Sequence, residues 1–152
     1  MSQVSERTRT RPVPDEAPLY EEGRAPARSA SALRILGALS VLVVGVVHLE
    51  QYFAVHFNVV PVIGPLFALN FAGATAIGLG LLLPLHRLRP LLALGGMALA
   101  ATSFAFLLIS ERRPLFGFED YGYRTAIVVA LAAEGAAVLF LGAYLAIRTR
   151  RA

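Results

Sequence analysis

Few residues of this chain are able to do chemistry, and seven polar candidates lie within long apolar stretches: His48, Glu50, Gln51, Asn70, Thr102, Ser103 and Glu134. Four of them, at His48, Asn70, Thr102 and Glu134, supply an imidazole, an amide, a hydroxyl and a carboxylate. An imidazole and a carboxylate in a medium of low dielectric are coupled in their protonation, so the pair is able to relay protons or hold a cation. The interpretation we favour is structural: these groups hydrogen-bond one another and fix helix register.

Composition indicates which elements carry these residues. Hydrophobic residues make up 57% of the 152 positions and charged residues 16%, against about 25% charged in soluble domains. Too little polar surface remains to coat a water-soluble globule. Four apolar stretches follow a polar leader, at about 33–55, 63–85, 90–110 and 125–147. Each is near the ~20 residues that cross a hydrocarbon core as a helix, so the sequence predicts an all-α, four-helix transmembrane bundle with up-down topology.

The four polar residues are predicted to share one level in the bilayer. Counted at about 1.5 Å per residue, His48, Asn70, Thr102 and Glu134 fall within about one helical turn of each other in depth, in the outer half. Each also lies on a helix face with small residues, such as Gly45 beside His48. Small residues mark helix contacts in membranes because they let backbones approach closely. We therefore expect an intramembrane polar layer inside the bundle.

Metal and cofactor chemistry is not indicated. The chain has no cysteine, which excludes thiolate ligands and disulfides. A haem held by two histidines needs both at one depth on facing helices, but His56 lies about 12 Å beyond His48 on the same helix and His86 lies at the opposite membrane face. No H-E-x-x-H, G-x-S-x-G or phosphate-binding glycine loop occurs. We expect no metal, no cofactor and no catalytic residue, which makes an enzyme the weaker interpretation.

The polar ends of the chain predict its orientation. Residues 1–32 carry balanced charge, several prolines and few apolar residues, which is typical of a disordered tail. The balanced charge argues against nucleic-acid binding, which needs a basic excess. Arg87 and Arg89 follow the second apolar stretch, and residues 148–152 form a basic end. By the positive-inside rule, the tail and this end both lie in the cytoplasm.

The link between the third and fourth stretches is charged and aromatic. Arg112, Arg113, Glu119 and Arg124 lie in it, and Glu50 lies near the outer end of the first stretch. Because a carboxylate at that boundary is able to pair with an arginine of the link, these five residues are candidates for ion pairing at the outer face. The aromatic residues of the link indicate an interfacial anchor, with a lid over the helices as the alternative.

Three runs of sequence resemble those of a known group of proteins. They are His-Leu-Glu-Gln-Tyr-Phe at 48–53, Ile-Gly-Pro-Leu-Phe-Ala-Leu-Asn at 63–70 and Leu-Phe-Gly-Phe-Glu at 115–119. With the use of arginine as the sole strongly basic residue and the richness in alanine, they resemble small four-helix integral membrane proteins of high-GC Gram-positive bacteria. The resemblance covers about 33–147 and implies a multi-pass protein of a bacterial plasma membrane. It implies no activity, but it suggests His48, Asn70 and Glu119 as positions to test.

The predicted function is that of a structural or accessory subunit. Such a subunit would join a larger membrane complex or a homo-oligomer through small-residue helix faces. The first alternative is a minimal proton- or cation-handling protein that uses the His48 and Glu134 pair. The second is an enzyme acting on a lipid or a quinone, with the outer link as its lid. The lipid bilayer is the expected partner, and nucleic acid is not.

Cysteine labelling tests the predicted orientation, because the natural chain has no cysteine to interfere. In Asn58→Cys the thiol lies between the first two stretches, and in His86→Cys it lies between the second and third. We expect a membrane-impermeant maleimide to label the first variant in intact cells and the second only after permeabilisation. The reverse pattern would place the termini outside.

Overall fold

The computed structural model describes residues 17–117, 122 and 124–150, and most of these residues are helical. Four α-helices follow in order: α1 (Ala17–Ala54), α2 (Ile63–Leu82), α3 (Arg89–Ser110) and α4 (Thr125–Thr149). A single 3-10 turn, Phe57–Val59, lies between α1 and α2, and the described residues contain no β-strand. Each α-helix contains a segment long and apolar enough to cross a membrane, which in α1 is Arg28–Ala54. The prediction of an all-α chain with four helices of spanning length is confirmed.

Two helix bounds differ from the predicted ones. Helix α1 begins at Ala17, so it includes residues 17–32, half of the segment predicted as a disordered tail. The other half, residues 1–16, lies outside the described residues. Pro18 is compatible with this start, because the first turn has no intrahelical partner for a backbone N–H. Helix α2 ends at Leu82 rather than residue 85, and Leu83 is extended. The cause is Pro84, which disfavours helical backbone at the residue before it.

The helices pack through small and medium side chains. Helix α1 lies against α2 and α4, and α3 lies against α4 and α2. The buried cluster between them comprises Ala38, Val41, Ala74, Leu81, Ala93, Ala100, Ala137, Leu141 and Tyr144. Lipid chains are as apolar as these side chains, so the contact is stabilised by close van der Waals packing rather than by removal from water.

Glycine sets the closeness of the contact between α1 and α2. A Cβ atom at Gly78 would lie 2.6 Å from Cγ of Leu42 and 3.2 Å from the carbonyl oxygen of Ala38. One of these atoms belongs to the backbone and has little freedom to move. Nearby, the guanidinium of Arg34 donates a hydrogen bond to the carbonyl of Leu81 in the last turn of α2, where carbonyls lack intrahelical partners.

The link between α1 and α2 is tight. His56 and Val62 both have positive φ, 61° and 67°, which is unusual for residues other than glycine and strained for a β-branched one. A Cβ atom at Gly64 would meet the carbonyl oxygens of Phe57 and Asn58 at 2.8 and 2.9 Å. The 3-10 turn therefore packs directly on the first turn of α2, and Phe57 is held buried beneath it.

Alanine substitution of two helical glycines tests this packing. Gly78→Ala overpacks the contact between α1 and α2, so we expect a loss of about 1–3 kcal/mol in the free energy of unfolding. A Cβ atom at Gly135 of α4 meets open space, so Gly135→Ala is the matched control and should leave stability unchanged or slightly raised. Unfolding in detergent measures both. Equal stability of the two variants would contradict the described contact.

Candidate intramembrane binding site

Each of the four helices contributes one side chain to a polar cluster centred on Ser103 of α3. The amide nitrogen Nδ2 of Asn70, on α2, donates a hydrogen bond to Oγ of Ser103 at 2.6 Å. The same Oγ lies 3.3 Å from Nε2 of His48 on α1. Ser103 also shares a side-chain hydrogen bond with the carboxyl group of Glu134 on α4. A single hydroxyl therefore joins all four helices.

Three of the four residues of the predicted polar layer meet in this cluster, and the fourth does not. His48, Asn70 and Glu134 are brought together through Ser103. Thr102 is exposed, although it lines the cavity described below. A residue one position along a helix points about 100° away, so Thr102 and Ser103 cannot both face the centre. A function for the polar layer beyond helix packing remains a prediction.

The predicted polar layer contains Thr102 where the structure places its neighbour Ser103, and a signal that favours Ser103 exists. Small buried residues of α3 recur at Ala93, Gly96 and Ala100. This spacing of three and four continues to Ser103 and defines the inward face of the helix. The face that contains Thr102 also contains Ala98, which is exposed. Both faces carry small residues, so composition alone does not distinguish them.

The His48 ring is fixed on two sides. Its Nδ1 lies 2.8 Å from the carbonyl oxygen of Val44, and since a carbonyl only accepts, Nδ1 carries a hydrogen and donates it. The ring also packs against Phe67, with 4.8 Å between the ring centroids. These contacts leave Nε2 as the nitrogen that faces Ser103.

Two oxygens of the cluster have no hydrogen-bond partner within the described part of the chain. They are Oε2 of Glu134 and Oδ1 of Asn70, and both atoms are buried. The Glu134 side chain as a whole is only 1% exposed. A buried polar atom without a partner is costly and therefore uncommon. These oxygens are the unsatisfied acceptors of the cluster.

The cluster lies in the wall of a cavity of about 460 Å³, within the roughly 300–1,000 Å³ typical of sites for small molecules. Apart from the polar cluster and Gln51, most of the wall is apolar. It includes Leu66, Leu69, Leu99, Phe106, Leu107, Ile127 and Ala130. Leu69 is 67% exposed, and Leu66 and Phe106 are also exposed. The cavity therefore opens between α2 and α3, on a surface made of the apolar side chains that face lipid in a bilayer.

Aromatic residues close one end of the cavity. Phe57 lines it and packs edge-on against Phe67, with 5.2 Å between centroids. The guanidinium carbon of Arg124 lies 6.0 Å from the centroid of the Phe57 ring, within cation–π range. Arg124 thus holds the start of α4 next to the turn that follows α1.

The other ion-pairing candidates are placed differently. Glu50 is exposed and accepts a hydrogen bond from the Gln51 amide. Arg112 and Arg113 are exposed, and Glu119 lies outside the described residues. Ion pairing of Glu50 with an arginine of the link remains a prediction.

Metal coordination has no obvious site in the described ranges. No group of three or more His, Cys, Asp or Glu side chains there is placed to hold a metal ion.

The chain has no significant match to any protein-family model, curated protein sequence or solved structure with which it was compared. The resemblance to small bacterial four-helix proteins therefore remains a prediction, and the function must be inferred from the geometry of the site.

Removing the Ser103 hydroxyl tests the cluster. Ser103→Ala leaves the bonded groups of His48, Asn70 and Glu134 without their shared partner, so we expect a loss of about 1–3 kcal/mol in the free energy of unfolding. Ser103→Thr retains the hydroxyl and should lose less. Ser40→Ala is the matched control, because the Ser40 hydroxyl bonds only the carbonyl of Leu36 in its own helix. An equal effect of Ser103→Ala and Ser40→Ala would contradict the cluster.

Proposed function

We propose that this protein is a multi-pass membrane protein that binds a small, largely apolar molecule carrying a polar head. The observation that carries this proposal is the shape of the site: an apolar cavity with a polar cluster in its wall. Two oxygens of that cluster, on Asn70 and Glu134, have no partner among the described residues. A molecule with an apolar body would fill the cavity, and its head would pair with these oxygens.

The position of the opening favours a molecule that arrives from the lipid phase. The gap between α2 and α3 is bordered by Leu66, Leu69 and Phe106, all within segments of spanning length. A molecule dissolved among acyl chains would enter sideways without crossing an aqueous interface. Lipids and membrane-soluble cofactors belong to this class, and water-soluble metabolites do not.

Transfer of protons or ions across the membrane is less well supported. Between the cluster and the Arg34 end of the bundle, the core contains fully buried apolar side chains such as Val41, Leu81 and Leu141. A pathway for charge through a membrane needs polar groups or water along its length. Nδ1 of His48 is also occupied by the carbonyl of Val44. The His48 and Glu134 pair is therefore better suited to binding than to transport.

A purely structural subunit is the remaining alternative. Several of its small residues face other helices of the same chain, as Gly45 faces Ala74 and Gly78 faces Leu42. Gly135 on α4 faces open space and leaves room for contact with a second protein. Membership of a larger complex or a homo-oligomer is compatible with ligand binding. A contact at Gly135 would use α4, whereas the cavity opens between α2 and α3.

The proposed setting is a bacterial plasma membrane, with the helices in up-down order and both termini in the cytoplasm. Arg34 of α1 contacts Leu81 of α2, and Gly45, later in α1, contacts Ala74, which is earlier in α2; this order supports opposite directions for the two helices. The arginines at 87, 89 and 148–151 support the cytoplasmic side. Lipid is the proposed surrounding, and nucleic acid is not a proposed partner.

A photoreactive probe tests binding directly. The protein is placed in lipid nanodiscs with a 12-carbon alcohol that carries a mid-chain diazirine and a terminal alkyne. We expect labelling to be concentrated on α2 and α3 around the opening and to be reduced by excess dodecanol. Ala126→Phe extends a ring into the cavity, so saturable labelling should fall at least fivefold.

Ala132→Phe provides the matched control. Ala132 lies on α4, is exposed and does not line the cavity, so its replacement should leave labelling unchanged. Thermal unfolding establishes that both variants are folded. Labelling spread evenly over all lipid-facing helices, or equal in the two variants, would contradict the proposed function and favour the structural subunit.

A further inference from the structure

The hydrogen count of the Ser103 hydroxyl restricts the protonation of its neighbours. A serine hydroxyl has one hydrogen to donate and two lone pairs to accept with. One lone pair is taken by the Nδ2 hydrogen of Asn70. One donation and one acceptance remain for the bonds to His48 and Glu134. These two bonds must therefore run in opposite directions.

Two arrangements satisfy this condition without leaving a net charge on the pair in the apolar wall, where a charge is costly. In the first, a protonated Glu134 donates to Ser103, and Ser103 donates to the bare Nε2 of His48. In the second, a protonated Nε2 of His48 donates to Ser103, and Ser103 donates to an ionised Glu134. The Nδ1 hydrogen is committed to the Val44 carbonyl in both. In either arrangement the His48 and Glu134 pair holds one proton besides the Nδ1 hydrogen, and it has no net charge.

Neither arrangement supplies a hydrogen to the two unpaired oxygens. Oε2 of Glu134 is the carbonyl oxygen of an acid in the first arrangement and a carboxylate oxygen in the second, and it accepts in both. Oδ1 of Asn70 is an amide carbonyl oxygen and only accepts. Both atoms are buried without partners in the described part of the chain. The cluster is therefore rich in acceptors and needs donors from a ligand.

The charge of the cavity wall restricts the chemical class of the hydrogen-bond donor that a ligand would carry. Among the described residues that line the cavity, His48 and Glu134 are the titratable ones, and together they are neutral. An ammonium group in this cavity would lose its hydration without gaining a net counter-charge, which is costly. A neutral hydroxyl has no such penalty. Both oxygens belong to side chains that bond the same Ser103 hydroxyl, so one small head group with two donors is able to serve both.

We propose that the ligand is a neutral apolar molecule whose head carries two hydroxyl groups, as in a diol or a dihydroxy-aromatic ring. One hydroxyl donates to Oε2 of Glu134 and the other to Oδ1 of Asn70. This inference rests on the proposed function and adds the chemical class of the ligand. It also excludes heads that only accept, such as ethers and esters, because they leave both oxygens unpaired.

A matched pair of competitors tests the proposal on the natural protein. Dodecane-1,2-diol and 1,2-dimethoxydodecane share one carbon chain and differ in their hydroxyl hydrogens. Each competes with the photoreactive alcohol in nanodiscs, at equal mole fraction in the bilayer. We expect the diol to displace the probe at a concentration at least tenfold lower than the ether. Dodecylammonium should displace it no better than the ether.

Two carboxylate-to-amide variants then assign the contact. Glu134→Gln allows an N–H donor to replace the Oε2 acceptor in the cavity, so the preference for diol over ether should fall at least threefold. Glu50→Gln makes the same chemical change at an exposed residue that does not line the cavity, and it should leave the preference unchanged. Thermal unfolding shows whether each variant is folded, and the diol and ether comparison on the natural chain needs no variant.

The possible failures are distinct. Saturable labelling with equal displacement by diol and ether would overturn the hydroxyl inference and leave the proposed function standing. Preferential displacement by dodecylammonium would overturn the neutral head. An unchanged preference in folded Glu134→Gln would overturn the contact with Glu134. The absence of saturable labelling would overturn the proposed function and this inference with it.

Discussion

The hydrogen bonds of one hydroxyl, that of Ser103, are the interaction on which the rest of this structure depends. Inside a bilayer no water is available, so polar side chains must satisfy one another or remain unsatisfied. His48, Asn70 and Glu134 lie on three different helices, and each meets Ser103. The hydroxyl therefore fixes the rotation of all four helices at this level, because a helix turned away would leave its polar group without a partner.

Packing divides the bundle into two regions around this cluster. On the side toward Arg34, small residues allow close contact, as Gly78 does for Leu42 of α1, and the core is filled by apolar side chains. On the other side, α2 and α3 leave a cavity between them. The first region contains the close contacts between helices. The second leaves the polar cluster accessible to a molecule from the lipid phase, which is why binding is the function that the geometry supports best.

Much of the fold follows from the sequence, because helices in a membrane have one dominant constraint. A run of about 20 apolar residues has few structures other than a helix available in lipid, and the four predicted stretches are helices. Rise per residue and helical period are fixed, which is why helix geometry is able to predict that His48, Asn70 and Glu134 lie near one another; their depth in a bilayer stays a prediction. Thr102 was placed in the layer instead of Ser103 because two faces of α3 carry small residues, and hydrophobicity does not separate them. The bond between Glu50 and Gln51 is a local contact that no periodicity reports.

Magic-angle-spinning NMR of the protein in bilayers, with ¹⁵N-labelled histidine and ¹³C-labelled serine, tests the central claim most directly. Ser103 Oγ lies 3.3 Å from Nε2 of His48, so a through-space correlation between this nitrogen and Cβ of Ser103 is predicted, and it should disappear in Ser103→Ala. A His48 Nε2 signal that correlates with lipid acyl chains and not with Ser103 would contradict the four-helix cluster and the binding site built on it.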